Sequence, residues 1–146
     1  MSILLVGAGP MASDYVEVLQ HLNLQFDVVC RSEESASKFY QKHKIKCVSG
    51  ALNSEVHSGD NYSSAIIAVD IGSLFSVTKF LINSGVRNIL LEKPAALYLA
   101  EIEQLLTLSR EKNSKIFVAF NRRFYSSVEK LIVLVCLLIY AFQASE

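Results

Sequence analysis

The chain alternates between short, largely apolar runs and longer segments whose apolar residues recur every three to four positions. Six stretches are of the first kind: Ile3 to Val6, Phe26 to Cys30, Ile45 to Val48, Ser64 to Val69, Asn88 to Leu91 and Lys115 to Phe120. Runs of this length, bounded by polar or glycine-bearing turns, predict strands buried on both faces. The segments between them predict helices. The first runs from Ala12 to Leu22, with Tyr15, Val16, Leu19 and Leu22 facing inward. The second reaches about Lys42, with Ala36, Phe39 and Tyr40 inward. The third runs from Ser73 to Asn83, and the fourth from Leu97 to Lys112, with Ile102, Leu105, Leu106 and Leu108 inward. Ser32 is expected to cap the second helix, with Glu33 and Glu34 favourable in its first turn. Gly85 is expected to stop the third at a C′ position. Gly50 to Asn61 is polar and reads as a loop. Strands alternating with helices predict an α/β fold: a doubly wound parallel sheet of about six strands with helices on both faces.

The turn after the first strand carries the clearest chemistry. Gly7-Ala8-Gly9-Pro10-Met11-Ala12 joins a strand to a helix, the context in which a glycine turn holds a dinucleotide pyrophosphate. Gly7 allows a tight turn. Gly9 lets backbone approach the phosphates, and Ala12 permits close helix–strand packing. The helix N-terminus supplies unpaired N–H groups and a positive dipole end. Pro10 fits the first helical turn, where its missing N–H is harmless. The fold expected is therefore the Rossmann arrangement, over residues 1–125.

The end of the second strand bears on which dinucleotide is taken. An acid there would bind the ribose 2′-OH of NAD. This chain has Arg31-Ser32, and Asp27 lies at the wrong end of the strand. A guanidinium matches a 2′-phosphate in charge and fork geometry, so NADP is the expected cofactor, with NAD as the alternative. Two further strand ends carry candidate chemistry: Glu92-Lys93-Pro94 follows the fifth strand and Asn121-Arg122-Arg123-Phe124 the sixth, where open α/β sheets bind their ligands.

Composition removes several classes. Fourteen basic residues balance fourteen acidic ones in 146, so no nucleic-acid partner is expected. Cys30, Cys47 and Cys136 show neither metal spacing nor a disulfide framework, and free thiols fit a cytoplasmic location. His21, His43 and His57 stand apart from any ligand-like cluster. No signal peptide precedes the first strand. The last 21 residues, 126–146, read as a helix with an unbroken apolar run from Leu131 to Phe142. At about 18 Å it falls short of a hydrocarbon core of about 30 Å, so no membrane span is expected. Apolar on nearly every side, it expects burial, and it is a candidate surface for self-association or a protein partner.

Taken together, the glycine turn, Leu91-Glu92-Lys93-Pro94 and Asn121-Arg122-Arg123-Phe124 resemble the N-terminal half of the Gfo/Idh/MocA oxidoreductases, which act on sugars, inositols and similar polyols. The likeness covers about Ile3 to Lys130. It implies that Gly7, Ala8, Gly9, Pro10 and Met11 line the pyrophosphate. Arg31 and Ser32 would meet the adenosine ribose, and Ala68, Val69 and Asp70 would flank the cofactor. Glu92 would lie near the nicotinamide ribose. Lys93 would stand by the reacting carbon as the catalytic residue, with Pro94 after a cis bond. Asn121 and Arg122 would border nicotinamide and substrate, while Arg123 and Phe124 would be structural. An ammonium at Lys93 would stabilise charge developing on the substrate oxygen.

Two departures qualify the resemblance. Family members commonly carry Thr-Pro or Asn-Pro after the fourth strand and a histidine soon after; here Val69-Asp70-Ile71 and Leu74 stand there. The family also has a second α/β domain that supplies most of the substrate pocket. The expectation is thus a truncated or frame-disrupted member that binds cofactor with little turnover of its own. The rival reading is a non-catalytic nucleotide-binding or partner-docking fragment. A methyltransferase-type user of the fold is disfavoured by Arg31.

Overall fold

The structure, a computed structural model, describes residues 2–50, 52, 59–127 and 130–131, and the backbone alone of 122 and 123. Expectations that rest on His57, on Cys136 and on residues 132–146, including most of the apolar C-terminal run, lie outside the described residues.

Six strands form one parallel sheet: β1 (Ser2–Val6), β2 (Phe26–Cys30), β3 (Cys47–Ser49), β4 (Tyr62–Ile67), β5 (Asn88–Leu91) and β6 (Lys115–Val118), in the spatial order β3-β2-β1-β4-β5-β6. Four helices connect them: α1 (Pro10–His21), α2 (Glu33–His43), α3 (Ile71–Asn83) and α4 (Leu99–Glu111). Helices α1 and α2 supply one core, packed on Leu5, Val28 and Ile66 through Val16, Leu19 and Phe39. Helices α3 and α4 supply the other, on Leu4, Ile67, Ile89 and Leu91 through Leu74, Leu81, Ile82 and Leu105. The doubly wound sheet with helices on both faces is therefore what the alternating pattern predicts. Chain order reverses between β1 and β4, and at such a switch point the diverging connections leave a crevice at the strands' C-terminal edge.

Boundaries moved where side chains intervene. Helix α4 starts at Leu99 rather than Leu97, because the Glu101 carboxylate accepts the amides of Leu97 (3.1 Å) and Tyr98 (3.2 Å). Strand β6 ends at Val118 rather than Phe120: the Phe120 amide turns back to the Val118 carbonyl, and Asn121–Phe124 forms a 3-10 turn. Strand β4 begins two residues earlier than the apolar run, at Tyr62, whose hydroxyl donates to Asp27 at 3.0 Å. Helix α1 begins at Pro10, with Gly9 as its N-cap. Ser32 caps α2 as expected, accepting the Ser35 amide at 3.3 Å, and Gly85 follows α3 with φ +85°.

Four residues assigned to inward stripes are exposed instead: Leu22, Tyr40, Ile102 and Leu106. Leu22 lies beyond the last turn of α1, at its C-cap. Tyr40 lies beside Phe39, which takes the core position on α2, and the Lys44 ammonium sits 5.9 Å from its ring. On α4 the buried line runs through Leu105 and Ser109, which leaves Ile102 and Leu106 on the outer side.

Candidate dinucleotide cleft

The sheet hydrogen bonds continue past the strand ends and align them. The Gly7 amide donates to the Val29 carbonyl (2.8 Å), Ala68 to Val6 (2.8 Å) and Glu92 to Ile67 (3.1 Å). The segments that follow β1, β2, β4 and β5 therefore leave the same edge side by side. Between them lies a cleft of about 730 Å³. The backbone from Gly7 to Met11 forms its floor. Cys30, Arg31 and Ser35 stand on one side, and Ala68, Val69, Asp70, Ser73 and Ser76 on another. Glu92 and Lys93 occupy the β5 end, and Leu52, Val77 and Phe80 add an apolar wall.

The two glycines of the turn are there for different reasons. At Gly7, φ is +128°, and a Cβ would lie 2.1 Å from the Ala68 carbonyl oxygen. The fold itself requires that glycine. At Gly9, φ is −84° and ψ −174°, which any residue adopts, and a Cβ would meet no atom within 4 Å. No contact among the described residues explains the missing side chain there. It leaves bare backbone at the N-terminus of α1, whose N-cap has no side-chain acceptor and whose first turn has no acid. A cradle of that kind fits an anionic group, and pyrophosphate is the size and charge that a floor of backbone N–H groups accommodates.

Charged groups mark two ends of the cleft, three strand spacings apart, about 14 Å. At the β2 end, Arg31 reaches to 3.9 Å from Asp70, with side chains 89% and 61% exposed. Asp70 also accepts the Ser73 hydroxyl at 2.9 Å. At the β5 end, Glu92 is only 7% exposed, and its carboxylate accepts the Tyr15 hydroxyl at 2.6 Å. Burial, followed by that hydrogen bond and the Glu92 charge, pushes the Tyr15 phenol well above its usual range. Lys93 is exposed, and the Lys93–Pro94 bond is cis. Asp27, at the opposite edge of the sheet, accepts from Ser2 and Tyr62 and takes no part in the cleft.

Of the residues singled out in the sequence, the cleft brings together Gly7, Ala8, Gly9, Pro10, Met11, Arg31, Ala68, Val69, Asp70, Glu92 and Lys93. Ser32 is not among its described lining residues, because its hydroxyl is committed to the α2 cap; Ser35, one turn on, lines the cleft instead. Asn121 is exposed in the 3-10 turn and is likewise not in the described lining, and the Arg122 side chain lies outside the described residues. Leu74, at the position where a histidine was expected by resemblance, is buried in the core. Sequence reasoning missed Tyr15 as a polar partner, having placed it among core residues. It also missed Ser73 and Ser76, one helical turn apart at the start of α3.

Comparison with known proteins adds a common origin to this geometry. Residues 1–120 match the family model described as the oxidoreductase family with an NAD-binding Rossmann fold, GFO_IDH_MocA. The trans-1,2-dihydrobenzene-1,2-diol dehydrogenase of Xenopus tropicalis is 26% identical over 132 residues, 85% of this chain and 38% of that protein. A probable dehydrogenase from Thermotoga maritima superposes with a TM-score of 0.78 at 18% identity, covering 92% of this chain and 40% of that one. The WlbA dehydrogenase from Chromobacterium violaceum, in complex with NADH and UDP-GlcNAcA, superposes with a TM-score of 0.75 at 13% identity, covering 90% and 38%. The chain thus spans about two-fifths of the length of these relatives. No helix among the described residues is long and apolar enough to cross a membrane.

Proposed function

The chain belongs to the Gfo/Idh/MocA oxidoreductase family, and from that premise we propose that it holds NADP, in preference to NAD, for hydride transfer on a sugar- or polyol-like substrate. The observation that carries the reading is Gly9: bare backbone whose missing side chain no contact among the described residues explains, on the floor of a cleft with a cation toward each end. The backbone from Gly7 to Met11 would hold the pyrophosphate. Arg31, supported by Ser32 through the α2 cap, would meet the adenosine ribose and its 2′-phosphate. Ala68, Val69 and Asp70 would flank the cofactor, and Glu92 would lie toward the nicotinamide ribose. When bound, the dinucleotide supplies the hydride chemistry. Lys93 would donate a hydrogen bond from its ammonium to the substrate oxygen and stabilise charge there. Asn121 and Arg122 are proposed to border that end. The substrate class comes from the relatives: the C. violaceum protein is seen with a sugar nucleotide.

The test is a titration of the purified chain with NADPH and NADH, followed by nicotinamide fluorescence. NADPH should bind more tightly. A charge-assisted contact to the 2′-phosphate is worth about 1.5–3 kcal/mol, so Arg31→Asp should weaken NADPH by about 10–100-fold and leave NADH much less affected. Binding of neither cofactor would overturn the reading.

A second reading rests on the proton carriers. Of the two titratable groups at the β5 end, Glu92 is bound to Tyr15, which leaves Lys93 alone among the described lining residues. A chain that holds nucleotide without catalysing, or that docks on a partner through the run from Leu131 to Phe142, would fit that arrangement. Low turnover of sugar substrates is therefore expected of this chain by itself. The buried free thiols of Cys30 and Cys47 support a cytoplasmic location.

A further inference from the structure

The Tyr15–Glu92 hydrogen bond joins the two elements that frame the cleft. Tyr15 is on α1, directly after the glycine turn, and Glu92 follows β5, 77 residues later. The hydroxyl is not needed to hold α1 in place, because Ala12, Val16 and Leu19 already bury the helix against the sheet. Its consequence falls on Glu92. The carboxylate of a residue only 7% exposed needs a donor, and a charge-assisted O–H bond is among the strong ones. The Glu92 backbone is fixed as well: its amide donates to Ile67 and its carbonyl accepts from Ala95, at 3.0 Å. Glu92 is thus tied at both backbone and side chain, and the next residue, Lys93, lines the cleft. The phenol is a protonated donor at neutral pH, and burial and the facing carboxylate raise its pKa, so it stays one into the alkaline range.

We propose that Tyr15 is a positioning residue, whose hydroxyl fixes the buried Glu92 carboxylate and thereby sets Lys93 at the nicotinamide end of the cleft. The inference rests on the dinucleotide reading given above. Tyr15 touches neither cofactor nor substrate in this arrangement; it acts through Glu92.

The experiment compares wild type with Tyr15→Phe, which keeps the ring and removes the bond. Each is titrated with NADPH and with 2′,5′-ADP, a half-molecule that lacks nicotinamide. The variant should bind 2′,5′-ADP within about twofold of wild type, weaken NADPH about tenfold, and shift the emission of bound NADPH. An equal loss for both ligands, or unfolding of the variant, would show that Tyr15 serves the fold alone and would overturn the proposal. Unchanged NADPH affinity and emission would overturn it too. If wild type binds neither ligand, the dinucleotide reading fails separately. The positioning role is then read from amide resonances of the ligand-free chain. Shifts at Glu92 and Lys93 with those of α1 unmoved would support it, and unmoved Glu92 and Lys93 signals would overturn it.

Discussion

Alanine at Gly7 and at Gly9 should have different effects, although the two glycines are two residues apart in one turn. At Gly7 the added methyl carbon would lie 2.1 Å from the Ala68 oxygen and 2.8 Å from its carbon, at φ +128°. Both atoms are backbone, in the segment just beyond the central strand β4, so neither can swing aside. Backbone strain of about 1–3 kcal/mol and overpacking of about 1–3 kcal/mol together remove a large part of a typical domain's stability of about 5–15 kcal/mol. Melting should fall by on the order of 10 °C. At Gly9 the backbone already has a conformation alanine favours, and the methyl meets nothing. Replacing glycine there restricts the unfolded chain, a gain of about 0.4–1 kcal/mol, but alanine is a poorer N-cap for α1 than glycine, so the two effects offset and stability should stay close to wild type.

Binding, by contrast, should suffer at Gly9. The Gly9 methyl would occupy the space over the cleft floor, and a dinucleotide pyrophosphate could no longer reach the backbone. Gly9→Ala should therefore melt close to wild type while NADPH affinity falls at least about tenfold, or about 1.4 kcal/mol. Thermal unfolding by circular dichroism without ligand, paired with a fluorescence titration, reads both quantities on one preparation. If Gly9→Ala binds NADPH like wild type, then the open space above Gly9 is not where the phosphates sit. If it melts well below wild type, the geometry of the turn has been misread. Either result would refute the reasoning.

Other outcomes follow from charged and buried groups. Asp70→Asn removes the acid 3.9 Å from Arg31 and should tighten NADPH several-fold with little change for NADH; equal effects on both would place the 2′-phosphate elsewhere. Burial first, and the neighbouring Cys30 thiol second, push the Cys47 thiol from near 9 up to about 12. In the unfolded chain the thiol loses its proton at lower pH, so the native state holds more protons above about pH 9 and its stability declines as pH rises toward 12. Cys47→Ala should flatten that alkaline decline, measured as melting temperature against pH; an alkaline limb identical to wild type would sink the assignment.

Local rules were readable in the sequence wherever one residue decides one backbone angle or one cap. The turn at Gly7, the Ser32 cap and the Gly85 stop each depend on a chemical property of a single position. The doubly wound parallel sheet followed from alternation, because right-handed crossovers leave few parallel arrangements. Helical faces were less readable. Periodicity identifies a stripe, but the width that gets covered depends on the partner surface, which is why Leu106 and Tyr40 are exposed while Leu105 and Phe39 beside them are buried. The Tyr15–Glu92 bond was out of reach for another reason. Tyr15 falls on an apolar stripe, and nothing local tells a tyrosine that packs from one whose hydroxyl meets a carboxylate 77 residues away. Glu92 and Lys93 were found as candidates through resemblance and through their place after a strand, not through any local pattern.

The two charged ends of the cleft differ in how firmly they are held, and this bears on what each can do. Arg31 and Asp70 form an exposed pair at 3.9 Å, a geometry that contributes little to stability in water. An incoming phosphate dianion can displace that contact without disturbing the fold, since neither residue holds a strand or a core in place. Glu92 and Tyr15 are in the opposite position: their bond is short and sheltered, and its loss would leave a carboxylate buried without that donor. In the proposed reading, cofactor selectivity resides at the adjustable end and the geometry for chemistry at the fixed one. Substitutions at positions 31 and 70 should consequently trade one dinucleotide for another at almost constant stability. Substitutions at 15 and 92 should not alter that choice at all, because they act at the nicotinamide end of the cleft, away from the 2′-phosphate.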